Sequence, residues 1–219
     1  MAKQGGRAGG ARTSAFSAPQ DGAEAADLLD LSLGEFLDAV SSEDPTPGGG
    51  SAAALAVAVS AGLTAMVARG SAEWADAGSA IAQAERLRKR VAPLAQQDAE
   101  AYEEALVTMT LPERVEPAVR DMAVGAALTR AAEVPMAIAE AGADAACLAA
   151  WVADRGNAAR RGDAVTAALL AEAGARAAAN LVTVNLLVKP GDERALYAEL
   201  LAKTASEAAR QAVRTTDAA

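Results

Sequence analysis

PTPGGGSAAALAVAVSAGLTAMVARG, residues 45–70, decides the fold. Pro45 and Pro47 end any helix before them, because proline fixes φ and lacks an N–H. Three glycines follow, and Ser51 then opens a charge-free run over residues 52–68. The spacing predicts a helix from about Ser51 to Arg69, capped by the Ser51 hydroxyl and stopped by Gly70. The run nearly reaches bilayer-spanning length, yet Ala, Gly and Ser add little to insertion and no Trp or Tyr girdle flanks it. Such a helix is expected inside a bundle, packed through small side chains.

A glycine loop feeding a helix can also bind an anion. A phosphate-binding loop needs a preceding strand and a Gly-Lys-Ser/Thr ending. Here the preceding segment, LGEFLDAV, has helical spacing, with a capping box at Ser32 and Glu35 and a stripe of Phe36, Leu37 and Val40. No lysine lies between Lys3 and Lys89. The dinucleotide fingerprint fails too, for want of its glycine spacing and its βαβ setting. Two readings stay open. Free amides at Gly49, Gly50 and Ser51 suit a ligand's carboxylate or phosphate, or the glycines serve a tight turn and close helix packing.

Outward from this stretch the chain reads as helices and loops. Residues 1–25 are rich in Gly, Ala and Ser and read as a flexible tail without a secretory apolar core. A single domain is expected over 26–219. An amphipathic segment from Ala75 to Met109 should be kinked or divided by Pro93. LPERVEP forms a turn, and a long helical pattern follows to Trp151 with a bend at Pro135. DRGNAARRGD is a polar loop, and Ala164 to Val188 forms another largely apolar helix before KPGD and a final amphipathic helix. LVTVNLLV is the one stretch ambiguous with a strand. The fold expected is an all-α bundle of five to seven helices with two largely apolar, alanine-rich central helices.

Composition narrows the chemistry. Net charge is 20 − 29 = −9, which argues against nucleic acid or an anionic membrane as partner. There is no histidine, which removes the usual general base, the His-dependent triads and nearly every zinc site. One cysteine, Cys147, excludes an internal disulfide and fits a reducing cytoplasm. Its apolar surroundings in sequence place it in the core, and Trp74, Trp151 and Met109 read as packing residues. Proton chemistry then falls to Asp, Glu, Lys, Tyr or water.

Two further stretches can carry chemistry. Asp98 and Tyr102 in QQDAEAYEEAL are four apart and share a helix face, so they suit a held water or a proton shuttle, or are simply part of an acidic surface. Asn157, Arg160, Arg161 and Asp163 precede an apolar helix, where Asp163 is an N-cap candidate and the arginines suit a polyanion. Arg176, Asn180 and Asn185 interrupt that helix and need partners.

LGEFLDAV, PTPGGGSAAALAVAV, DAEAY, LP, AAEVPM and GDAVTAALLAEAGARAAANLVTVNL occur in an order that resembles the formiminotetrahydrofolate cyclodeaminase and methenyltetrahydrofolate cyclohydrolase family. The likeness spans residues 30–210. It implies an all-helical cytoplasmic homodimer that takes a tetrahydrofolate derivative and needs neither metal nor redox cofactor. It implies either hydrolysis of 5,10-methenyltetrahydrofolate or deamination of the 5-formimino compound, the former ranking first for a small stand-alone chain. Carried over, Pro47, Gly48, Gly49, Gly50 and Ser51 line the folate pocket, and Asp98 and Asp163 are its catalytic carboxylates. Tyr102 and Asn157 join the pocket, with Arg160 and Arg161 toward the glutamate tail. Family members commonly read Tyr-Lys-Leu-Pro where this chain has Met109-Thr110-Leu111-Pro112. They tend to read Asn-Pro-Asn-Ala-x-Ser-Asp where it has Asn157-Ala158-Ala159-Arg160-Arg161-Gly162-Asp163. A scaffold that binds without turnover is the alternative these departures leave.

Overall fold

The computed structural model describes residues 27–110, 116–186 and 191–217. The proposed tail and the residues of LPERVEP up to Val115 lie outside them. Eight α-helical segments follow in order. They are α1 (Leu33–Val40), α2 (Gly49–Arg69), α3 (Ala77–Val91), α4 (Leu94–Met109), α5 (Pro117–Ala131), α6 (Glu133–Arg155), α7 (Arg161–Leu186) and α8 (Glu193–Asp217), with a 3₁₀ turn at Ala158–Arg160. The segments of α3–α4 and of α5–α6 almost abut, so the described residues form six rods. No strand occurs among the described residues, and the described part of LVTVNLLV is the end of α7.

Local chemistry explains the breaks. The Ser32–Glu35 capping box forms as expected. Pro93 divides α3 from α4. Pro135 does not bend a helix, because the break falls earlier, at Ala132, and leaves proline in the first turn of α6. There its missing N–H is no loss. The Ala131 carbonyl that this frees receives the Asn185 side-chain amide at 2.9 Å, so one of the polar residues interrupting α7 closes the break.

The core is built from small residues. Of the 35 buried residues of the main cluster, 27 are alanine, so helices must approach closely to bury useful area. Gly142 of α6 meets Ala175 of α7, and Gly174 meets Val57 and the Ala53 carbonyl of α2, where a Cβ would overlap its neighbours. Ser60 in α2 donates to the Ala167 carbonyl at 2.7 Å. These contacts set α7 antiparallel to α2. Three stretches, Gly49–Arg69, Pro117–Arg155 and Ala158–Leu186, are long and apolar enough to cross a membrane by length and composition, and they pack on one another here. Cys147 is a correction. It is exposed on α6 rather than in the core, because its side chain opens onto the cleft facing α3. Met109, at the end of α4, is 40% exposed and is likewise not a packing residue.

Candidate functional site

α2 begins two residues earlier than expected, at Gly49, with Gly48 as its N-cap. Ser51 is therefore not the cap. It lies inside the first turn, fully buried, and its hydroxyl donates to the Ala95 carbonyl of α4 at 2.7 Å. That bond fixes α4 across the helix start and brings Asp98 over it. The Asp98 carboxyl rests against Gly50 where a Cβ would sit, and it accepts the backbone N–H of Ser51. Burial pushes Asp98 up to about 6, with the Ser51 bond pulling partly the other way. A carboxyl poised near neutrality at the positive end of a helix can take and return a proton.

The loop before α2 is tied to the same helix. Thr46, nearly buried beside buried Pro47, donates to Glu103 of α4 at 2.5 Å. The peptide between Thr46 and Pro47 is cis. Tyr102, 39% exposed, stands one turn along α4 from Asp98. Pro47, Gly48, Gly49, Gly50, Ser51, Asp98 and Tyr102 thus gather at one end of the bundle.

The other expected site residues gather elsewhere. Asn157 caps the 3₁₀ turn, its side chain accepting from the Ala159 N–H and donating to the Gly70 carbonyl, both at 2.9 Å. Its own N–H donates to the Ser71 hydroxyl at 2.8 Å. The Arg160 guanidinium lies over Gly70, and Arg161 donates to the Ala153 carbonyl at 3.2 Å. Asp163 is not an N-cap, since α7 already starts at Arg161 and puts it in the first turn, exposed. It lies three turns before Gly174 on the side of α7 that meets α2. This group stands at the C-terminal end of α2. With 21 residues between the two ends, the groups are about 30 Å apart within one chain.

A cavity of about 810 Å³ opens at this second end, lined by Gly70, Ser71, Trp74, Trp151, Arg155 and Asn157 among others. Trp74 and Trp151 meet edge to face, with ring centroids 4.6 Å apart. Trp151 also borders a cleft of about 650 Å³ between α3 and α6, where Arg90 pairs with Asp144 at 2.9 Å. Partial burial and the Asp144 charge raise the Cys147 thiol there, which makes it a poor nucleophile. Sequence reading gave both tryptophans a packing role alone. Their scarcity in a chain with 3% aromatics was the available signal that they border something.

Three comparisons bear on this arrangement. The sequence profile of the formiminotransferase-cyclodeaminase family matches residues 32–213. A methenyltetrahydrofolate cyclohydrolase of Methylorubrum extorquens is 36% identical over 175 residues, covering 76% of this chain and 83% of its own. The crystal structure of formiminotetrahydrofolate cyclodeaminase from Thermotoga maritima superposes with a TM-score of 0.76 at 24% identity, over 87% of this chain and 98% of that one. That last likeness is one of fold.

Proposed function

Because the chain belongs to the formiminotransferase-cyclodeaminase family, we propose that it is a folate one-carbon enzyme that hydrolyses 5,10-methenyltetrahydrofolate to 10-formyltetrahydrofolate. The cyclohydrolase relative, matched over most of both chains, supports hydrolysis over deamination. The observation that carries the chemistry is the Asp98 carboxyl seated on the glycine start of α2 and pushed up to about 6.

The substrate's bridging carbon is already an electrophilic amidinium, so the protein's task is to deliver water and move a proton. Ionised Asp98 takes a proton as water adds to that carbon. The tetrahedral adduct then breaks its bond to N5, Asp98 returns the proton to N5, and the adduct's hydroxyl proton passes to bulk water as the carbonyl forms. The formyl group is left on N10, and the carboxylate is restored. Asp98 suits both halves, since its ordinary range would make it a weaker base and a higher one would leave it protonated.

The reading includes a cytoplasmic homodimer with no metal or cofactor beyond the folate, centred on the alanine-rich helices α2 and α7. Uncovered apolar side chains support association, among them Val59 at 55% and Leu169 at 45% exposure. Loss of methenyltetrahydrofolate absorbance with purified protein, against a buffer control, tests the activity. Decay above buffer is expected. A rate equal to buffer, with no folate bound, leaves only a non-catalytic scaffold. Ammonia released from the 5-formimino compound without methenyl hydrolysis reassigns the chain to deamination.

A further inference from the structure

We propose that the cleft between α3 and α6 is a separate ligand site that takes a small aromatic monocarboxylate, gripped by Arg86 at its acid group and by Trp151 at its ring. Its volume of about 650 Å³ suits a small molecule. The two helices run antiparallel along it, since Arg90 meets Asp144 at one end and Trp151 meets Trp74, just ahead of α3, at the other. α2 packs against both helices, and no residue of α2 or α7 lines the cleft. The cleft is therefore distinct from the glycine end that holds Asp98 and from the uncovered side of α2.

Its lining is graded along its length. At one end Arg90 and Asp144 satisfy each other at 2.9 Å. Arg86, one turn back on the same face of α3, has no carboxylate partner among the described residues. Leu87 and Leu148 give the middle an apolar floor, and Trp151 closes the other end. Gln83 donates its amide N–H to the Ser79 hydroxyl at 3.1 Å, which leaves its carbonyl oxygen to accept from a ligand's N–H. Seven residues of α6 separate Asp144 from Trp151, a length of about 10 Å, which one ring system with a carboxylate arm spans.

Charge selects the acid group. Two guanidiniums and one carboxylate line the cleft, a surplus of one positive charge. The acids around it leave that surplus in place. Glu85 is held by Arg69 at 2.6 Å and Arg88 at 3.0 Å. Glu140 stands one turn beyond Asp144, away from Arg86. Glu73 and Asp76 line the neighbouring cavity together with Arg155, which Asp154 pairs. A single carboxylate neutralises the surplus and meets Arg86 through two parallel hydrogen bonds. A phosphate dianion would instead leave the cleft negative in a chain of net charge −9. A flat ring gains most from packing on Trp151, whose indole Trp74 already holds edge to face.

Indole-3-acetate is a suitable probe, with indole-3-acetamide as its neutral counterpart. Cys147, the chain's one cysteine, lies in the cleft, so the rate of its alkylation by iodoacetamide reports occupancy. The chain's two tryptophans give two indole N–H resonances in the ¹⁵N-labelled protein, and Trp74→Phe assigns them. Indole-3-acetate should slow the alkylation saturably, by about fivefold or more, and should shift the Trp151 resonance over the same concentrations. The acetamide should do neither at those concentrations. Arg86→Ala changes an exposed side chain and should raise the half-saturating concentration at least tenfold in both readouts. Absence of a saturable effect in the wild type overturns the site. Equal effects from the acetamide, or in Arg86→Ala, overturn recognition of the carboxylate by Arg86. If Cys147 alkylates too slowly to follow, the Trp151 shift decides the same comparisons. Neither readout involves folate turnover, so failure of the hydrolase reading leaves this test standing.

Discussion

The Asp98 carboxyl occupies the space in which a side chain at residue 50 would begin, so Gly50 is required by contact and not by backbone angle. Its neighbour Gly49 has open space at the same position. Gly50→Ala is therefore expected to push Asp98 off the Ser51 amide. It should lower turnover at least tenfold and cost about 1–3 kcal/mol of stability by overpacking. Gly49→Ala should leave Asp98 on the Ser51 amide, lower turnover less than Gly50→Ala does, and raise the melting temperature slightly, through a gain of up to about 1 kcal/mol in helix propensity. Absorbance assays and thermal unfolding of the two variants side by side check the contrast.

Asp98 also fixes the pH response. Its native pKa, about 6, lies above the ordinary aspartate value of 3.8. Between these values the native state holds a proton that the unfolded chain has released, so stability falls as pH rises through this window. Asp98→Asn should remove that fall and stabilise the protein at pH 8 by about 1 kcal/mol, a figure reduced because part of the carboxyl is open to solvent. At pH 4 the two proteins should unfold at closely similar denaturant concentrations. The same variant should lose turnover by about 10²-fold or more. Wild-type kcat/KM should rise through about pH 6 to a plateau, since the base form of Asp98 is the one that activates water.

Much of this fold is legible in the sequence. Prolines, glycines and the charge-free run located α2, and the capping box located α1. What sequence could not give was the exact helix start at residue 49, since that depends on Ser51 finding the Ala95 carbonyl 44 positions away. The role of Pro135 is hidden for a like reason, because the Asn185 amide that makes a break at Ala132 tolerable comes from another helix. The site residues themselves were named, but nothing local says that Asp98 and Asp163 lie at opposite ends of one helix. That follows from the antiparallel setting of α7 on α2, fixed by Gly174 against Val57 and Ser60 against Ala167.

Asn185 makes a separable prediction. Asn185→Leu keeps the branching of the side chain but leaves the Ala131 carbonyl without its amide. A loss of about 1–3 kcal/mol is expected in urea unfolding. Asn185 stands at the same end of α2 as Ser51, because α7 runs antiparallel to α2, but it bonds Ala131 while Ser51 bonds Ala95, so kcat of the folded variant should change less than its stability.

Asn157 and Asp163 sit six residues apart in one loop and helix start, yet they should fail in opposite ways. Asn157 holds the loop through bonds to the Gly70 carbonyl and the Ala159 N–H. Asn157→Ala removes both, and should cost about 1–2 kcal/mol while also loosening Arg160 over Gly70. Asp163 is exposed in the first turn of α7, where its charge favours the helix start by about 0.3–1 kcal/mol. Asp163→Asn should therefore be nearly neutral in unfolding and severe in turnover. If both variants lose stability and activity in proportion, Asp163 serves the fold. If Asp163→Asn unfolds like wild type and is inactive, its carboxylate is used on the ligand.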